Sequence, residues 1–262
     1  MEFRLILASD DGDHLLFLPL VSAAWRKFFD LKISLIIVGD IFMAERYRMQ
    51  YGQYVDEIKV VPLLDEIRVM NQAKMARLWY TGRHGSDVCL VNDMDLIPLQ
   101  RKYYAGVIAD HKPDTMLLVG GEVYTSVAHE RGKFPMGATT AESYLWQEIA
   151  NPNDLPYLEW LRSFYGLHVI DNREDPKGEG CCFSDESLMR VLLLRWARRG
   201  THADHRARGY YWLDDTVDRA RWDLLDVKKL HVGGYYESHM LKPFSENKDR
   251  LQVLADYIGI TL

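Results

Sequence analysis

Cysteine is scarce in this chain: Cys89, Cys181 and Cys182 are the only three in 262 residues. Three thiols build no disulfide framework, and an adjacent pair is a poor chelating spacing for zinc, so all three read as reduced thiols. Blocks of like charge are missing too. The 32 basic and 38 acidic residues leave a formal net charge of −6, which argues against a broad nucleic-acid surface. An anionic ligand would have to be met by a metal or by a few focused cations. No apolar run reaches the length of a bilayer span. The start of the chain has no basic stretch, apolar core and small-residue cleavage site of a signal peptide, so the expected location is the cytoplasm. Internal repeats, low-complexity tracts and clear linkers are also absent.

What is present is an ordinary globular composition. Hydrophobic residues make up 48% of the chain, enough for one large core, and we expect a single domain over residues 1–262. Phe3 to Ala8, Lys32 to Val38, Ile58 to Val61 and Asp87 to Asn92 read as strands. Helical spacing runs from His14 to Phe29, Phe42 to Tyr51 and Val69 to Tyr80. Alternation of this kind implies parallel β-α-β units, so residues 1–100 read as half of a doubly wound sheet. Further on, a strand is expected at Thr115 to Val119 and another at Val227 to Val232. Helices are expected near Tyr103 to Ala109, Thr140 to Ile149, Leu155 to Phe164, Ser184 to Arg198 and Lys248 to Tyr257. The Pro- and Gly-bearing stretch Asn172 to Gly180 reads as a loop. Trp79, Trp146, Trp160 and Trp196 recur on helical faces and read as packing.

Asp93-Met94-Asp95 closes the fourth apolar run. Alternation along a strand would turn both carboxylates to one place, where a hard divalent cation could be held. Asp-x-Asp is a frequent tripeptide and often a solvated turn, but ligands of open α/β sheets gather outside the carboxyl ends of strands, which is its address here. Three other clusters could reach the same edge: the acidic turn Ala8 to Asp13, the helix carrying Lys74 and Arg77, and the segment His231 to Lys242. Carboxylates with an imidazole suit Mn2+ or Mg2+, and manganese accepts the nitrogen ligand more readily. Each group also has a plainer role. The acids at 10, 11 and 13 suit a turn or cap, Lys74 and Arg77 suit a solvated helix face, and Asp185 and Glu186 suit the first turn of a helix.

Taken in order, Leu7-Ala8-Ser9-Asp10-Asp11, Ala76-Arg77-Leu78, Asp93-Met94-Asp95, Ser184-Asp185-Glu186-Ser187-Leu188 and His231 followed by Lys242-Pro243-Phe244 form a pattern. It resembles the metal-dependent GT-A glycosyltransferases, and among them the glycogenin-like and lipopolysaccharide galactosyltransferase family. The resemblance implies an α/β fold with a mostly parallel, Rossmann-like central sheet flanked by helices, and a smaller C-terminal acceptor-side annex. It also implies a nucleotide-sugar donor, most often a UDP-sugar, a glycan or glycoconjugate acceptor, and Mn2+ or Mg2+. Residues 1–100 would then bind the nucleotide, and residues 101–262 would meet the acceptor and complete the metal and diphosphate site.

Carried over residue by residue, Ala8, Ser9 and Asp10 would meet base and ribose. Lys74 and Arg77 would serve the donor phosphates or sugar, and Lys242 would neutralise the diphosphate. Asp93, Asp95 and His231 would hold the metal, Asp185 and Glu186 would face the anomeric carbon, and Gly137-Ala138 would lie beside the donor sugar. Two departures stand out. An insertion separates His231 from Lys242 and contains His239, an alternative metal ligand, and Tyr235 and Tyr236 beside it are candidates for stacking. Glu186 stands where retaining members usually have an amide, so it could act as a base in an inverting reaction or as a nucleophile in a retaining one. A nucleotidyltransferase would want a Gly-rich, basic loop after the first strand, where this chain is acidic. A phosphatase would want its Asp pair on the first strand, and a non-catalytic binding module stays open.

Overall fold

The computed structural model describes residues 2–109, 111–119, 136–164, 184–197, 202–206 and 215–262. Its centre is a seven-stranded sheet in the order β3-β2-β1-β4-β7-β6-β8. These strands are β1 (Phe3–Asp10), β2 (Lys32–Val38), β3 (Glu57–Val61), β4 (Val88–Val91), β6 (Thr115–Val119), β7 (Thr139–Glu142) and β8 (His202–Arg206). β1, β2, β3 and β4 run parallel, with Leu5 opposite both Ile33 and Leu90. β7 runs antiparallel to β4, and β6 and β8 run parallel to each other. The sheet is therefore mixed and mostly parallel. From β1 the chain moves outward to β2 and β3, then returns to place β4 on the other side of β1. That reversal opens a crevice at the carboxyl ends of β1 and β4, where doubly wound sheets bind ligands.

Alternation along the strands divides the core in two. Leu5, Leu7, Ile33, Leu35, Ile37 and Leu90 face one layer with Phe17, Trp25, Leu251 and Leu254. That layer is formed by α1 (Leu18–Phe28) and α9 (Phe244–Ile258). Ile6, Ile36, Val38, Cys89 and Val91 face the other layer with Trp79, Trp146, Trp160 and Trp196. It is formed by α3 (Val69–Thr81), α5 (Ser143–Ala150), α6 (Tyr157–Arg162) and α7 (Ser184–Ala197). The four tryptophans pack in this core, as their helical spacing predicted. Because other elements surround α3, even Asn71, Gln72, Arg77 and Thr81 are buried on it. Gly82 follows it closely against α5: a Cβ there would stand 2.9 Å from the Gln147 Cα.

A second, three-stranded sheet has the order β5-β10-β9: β5 (Leu96–Pro98), β9 (Thr216–Asp218) and β10 (Glu237–His239). The remaining helices among the described residues are α2 (Ala44–Tyr51), α4 (Arg101–Ala109) and α8 (Val227–His231), with 3-10 turns at Asp13–Phe17, Ile41–Met43 and Arg219–Leu224. Val227 to Val232 is thus helical rather than a strand. The cause is Asp226, whose carboxylate accepts from the Lys228 and Lys229 amides at 2.8 and 3.2 Å and caps the turn. The expected helix at Thr140 gives up its start to β7. The final helix begins at Phe244, four residues early, because Asp13 of the first turn accepts from the Phe244 and Ser245 amides. The Asn172 to Gly180 loop, Cys181 and Cys182 lie outside the described residues. Cys89 is buried and free. No described helix is long and apolar enough to cross a membrane.

At the opposite sheet edge, Arg4 donates to Asp87 and Ser34, each at 2.7 Å, and lies 3.4 Å from Glu57. His84 completes this cluster, its side chain 3% exposed and its Nδ1 3.7 Å from Glu57. Burial, reinforced by Arg4, lowers its pKa to about 4 against the partial opposition of Glu57 and Asp87. A histidine held neutral in the fold favours unfolding as soon as the unfolded chain can take the proton. Stability should therefore fall as pH drops through the ordinary histidine range, by about 2 kcal/mol from this group between roughly pH 7 and 5. Chemical denaturation at the two pH values measures it. His84→Gln should flatten that slope, and an unchanged slope would remove His84 as its source.

Candidate metal and diphosphate site

β4 ends at Val91, so Asp93 and Asp95 sit in the turn that leads to β5 rather than on the strand itself. The turn is pinned by Asn92, whose Nδ2 donates to the Leu96 carbonyl at 2.8 Å. Met94 goes into the core between them. The alternation expected of a strand is reproduced by this anchor, which leaves both carboxylates near one place.

The two acids have different surroundings. Asp93 keeps 40% of its side chain exposed and accepts from Arg77 Nη1 at 2.7 Å. Burial works to raise its pKa, but the charge and hydrogen bond of Arg77 together with His239 outweigh this and hold it below the usual carboxylate value. Asp95 is buried at 3% side-chain exposure. On its Oδ2 converge Lys242 Nζ at 2.7 Å, Arg219 Nη1 at 2.9 Å and His239 Nε2 at 3.3 Å. Burial again opposes ionisation, and His239 and Lys242 more than compensate, keeping Asp95 firmly ionised. Its backbone carbonyl also accepts from the Met240 amide at 2.7 Å.

Small-sheet register explains the convergence. β10 runs antiparallel to β5 with His239 opposite Leu96, and parallel to β9 with His239 opposite Asp218. Asp95, His239 and Arg219 therefore fall at one end of three neighbouring strands. One ligand atom from each of Asp93, Asp95 and His239 lies within 4.8 Å of the others. Two carboxylates and an imidazole at this spacing fit a divalent cation of the manganese or magnesium kind. His231 is not in the group. It ends α8, exposed, with its ring 5.9 Å from that of Tyr257, so His239 stands where His231 was expected.

The other expected residues divide between the crevice and its support. Ala8, Ser9 and Asp10 end β1 at the crevice, with Ser9 buried. Lys74 is half-buried one turn before Arg77 on α3. Arg77 is itself buried and holds three partners: the Asp93 carboxylate, the Asn92 carbonyl at 3.0 Å, and Asp185, to which Nε donates at 3.0 Å and Nη2 also donates. Asp185 is 1% exposed at the start of α7, and Glu186 beside it is half-buried. Arg77 thus ties α7 to the metal-site turn. Ala138 has φ 62° and its amide donates to the Val91 carbonyl, which brings the Gly137-Ala138 turn beside the end of β4.

Two site residues had no signal in the sequence. Arg219 follows a three-residue strand with no motif around it. His14, half-buried after the first turn, shares the electrostatic environment of Lys242, Asp95 and Asp10; burial and then Lys242 lower its pKa. Conversely, the two stacking candidates serve the annex. Tyr235 is buried with its hydroxyl accepting from the Asp226 amide at 3.0 Å, and Tyr236 stacks on Tyr103 at 5.7 Å.

No family model and no curated protein matches this chain. Solved structures do. The glycosyltransferase GlyE of Streptococcus pneumoniae TIGR4 superposes over 100% of this chain with a TM-score of 0.52 at 12% identity. The chain spans 61% of the length of that protein. The galactosyltransferase LgtC, solved with donor and acceptor sugar analogs, matches over 99% of this chain and 97% of its own, with a TM-score of 0.47 and 10% identity. Sheet order, the crevice beside β4 and the likeness to GlyE lead to one conclusion: the chain has the GT-A fold.

Proposed function

We propose that the protein transfers a sugar from a nucleotide-diphosphate donor, a UDP-sugar, to a hydroxyl of a glycan or glycoconjugate acceptor. The observation that carries this reading is the Asp93, Asp95 and His239 group at the carboxyl edge of β4, with Lys242 bonded to it. When bound there, Mn2+ or Mg2+ would supply a Lewis acid to the departing diphosphate. Lys242 would move from Asp95 onto that diphosphate, and Ala8, Ser9 and Asp10 would hold base and ribose from the end of β1. Lys74, on the same helix as Arg77, would serve the donor phosphates or sugar. Residues 1–100 would make up the nucleotide half of one domain, and residues 101–262 the acceptor side.

Arg77 takes a different part from a phosphate ligand. Buried and bonded to Asp93 and Asp185, it is a positioning residue that fixes the metal-site turn against α7. Asp185 is bonded to Arg77, and Glu186, half-buried beside it at the start of α7, is the carboxylate we assign to the reacting carbon. As a base it would take the proton of the acceptor hydroxyl while the new bond forms on the opposite face of the sugar; as a nucleophile it would attack that carbon itself.

A panel of nucleotide sugars incubated with Mn2+ and scored for slow hydrolysis tests the reading without an acceptor. Release of nucleoside diphosphate from one donor, stopped by chelator and restored by metal, is the expected result. Neither hydrolysis nor binding across the panel would leave the reading without support.

A further inference from the structure

We propose that Arg219 is a second diphosphate-binding cation, held on Asp95 until metal and diphosphate arrive together. The inference rests on the nucleotide-diphosphate reading of this site and adds to it a residue and a binding order.

Asp95 Oδ2 receives Lys242, Arg219 and His239 at 2.7, 2.9 and 3.3 Å. Three nitrogen donors on one oxygen exceed its two lone pairs, so at least one is poorly served there. Arg219 is also free to move at its tip. Its side chain is 42% exposed, while its backbone is fixed by the Asp218 carboxylate, which accepts from the Ala220 amide at 2.8 Å, and by buried Trp222 in the same turn. A guanidinium on a fixed stem beside a metal group is well placed to meet phosphate oxygens, which its planar fork fits in pairs.

Charge indicates when it would move. In the ion pairs that run through Asp93 and Asp95, three carboxylates (Asp93, Asp95 and Asp185) meet three cations (Arg77, Arg219 and Lys242), and His239 sits between Asp95 and a further carboxylate, Asp218. A divalent ion adds two positive charges to this set and competes for the oxygen that Arg219 and Lys242 hold. Repulsion between the ion and these side chains makes metal binding alone unfavourable. The two anionic phosphates of a nucleotide-diphosphate sugar supply the missing negative charge. They also give both displaced cations a partner, so metal and diphosphate should strengthen each other's binding reciprocally. Asp218 lies 3.9 Å from His239 Nδ1 and keeps that ring beside the group.

Calorimetry of UDP and UMP binding tests this, with and without Mn2+, in the wild type, Arg219→Gln, Arg219→Lys and Lys242→Gln. Arg219→Gln should lower the ratio of UDP to UMP affinity about tenfold or more, with Arg219→Lys between it and the wild type. Mn2+ should bind the wild type markedly more tightly when UDP is present. The ratio compares two ligands on one protein, so a partly unfolded variant does not imitate the effect. An unchanged ratio in Arg219→Gln, with Lys242→Gln impaired and the wild type binding UDP with Mn2+, would overturn the role of Arg219 and leave the proposed function standing. A wild type that does not bind UDP with Mn2+ would overturn both.

Discussion

Asp95→Ala is expected to reduce metal-dependent donor turnover by about a thousandfold or more while the protein stays folded. The magnitude follows from losing a carboxylate that would hold a Lewis acid, an effect of several kcal/mol on a charged transition state. Retention of the fold follows from where its partners lie. Lys242 and Arg219 are 36% and 42% exposed, so without Asp95 they turn to water, and the stability change should be about 1 kcal/mol or less. Turnover of nucleotide sugar with Mn2+ and thermal unfolding, measured on the same preparation, check both halves. Wild-type turnover in this variant would remove the site from the chemistry. A large loss of stability would make Asp95 a structural residue instead.

Arg77→Met should have the opposite profile, destabilising the fold by about 3–5 kcal/mol. The substitution leaves Asp185 buried at 1% exposure without its counter-charge, and also removes the donors to the Asn92 carbonyl and Asp93. Removing one partner of a buried pair costs far more than removing both, because the desolvated charge remains. The double variant Arg77→Met with Asp185→Leu should therefore recover most of the loss in urea denaturation. It should still turn over donor poorly, since the Asp93 turn is no longer tied to α7. A single variant as stable as the wild type would mean that Asp185 finds water that the packed interface of α3 and α7 does not admit.

Strands β1 to β4 were legible because each carries several apolar residues in a row, bounded by turn residues, and their pairing follows from β-α-β order. β5, β9 and β10 were not, because three residues carry no period and the pairing of β5 with β10 joins positions more than a hundred apart in the chain. That small sheet brings His239 beside the two aspartates. The resemblance put His231 first, although an insertion separates it from Lys242, whereas register puts His239 opposite Leu96, next to Asp95. The helix at Val227 was read as a strand from its apolar, β-branched ends, although Asp226 offered a capping signal. Arg77 was legible as a site residue but not as a buried one. The face it presents is covered by α7, which the sequence places 107 positions later.

The clasp between Asp13 and the start of α9 joins an early turn of the chain to a late segment. The Asp93 turn belongs to the first hundred residues, but Arg219, His239 and Lys242 lie more than a hundred positions further along, and Asp13 anchors the segment carrying Lys242 through the Phe244 and Ser245 amides. The β-α-β core formed by β1 to β4 holds Asp93 and Asp95 but none of their partners Arg219, His239 and Lys242. The candidate site is thus closed by segments that the β-α-β core does not contain, so that core by itself lacks the cations and the imidazole that the Asp93 turn faces.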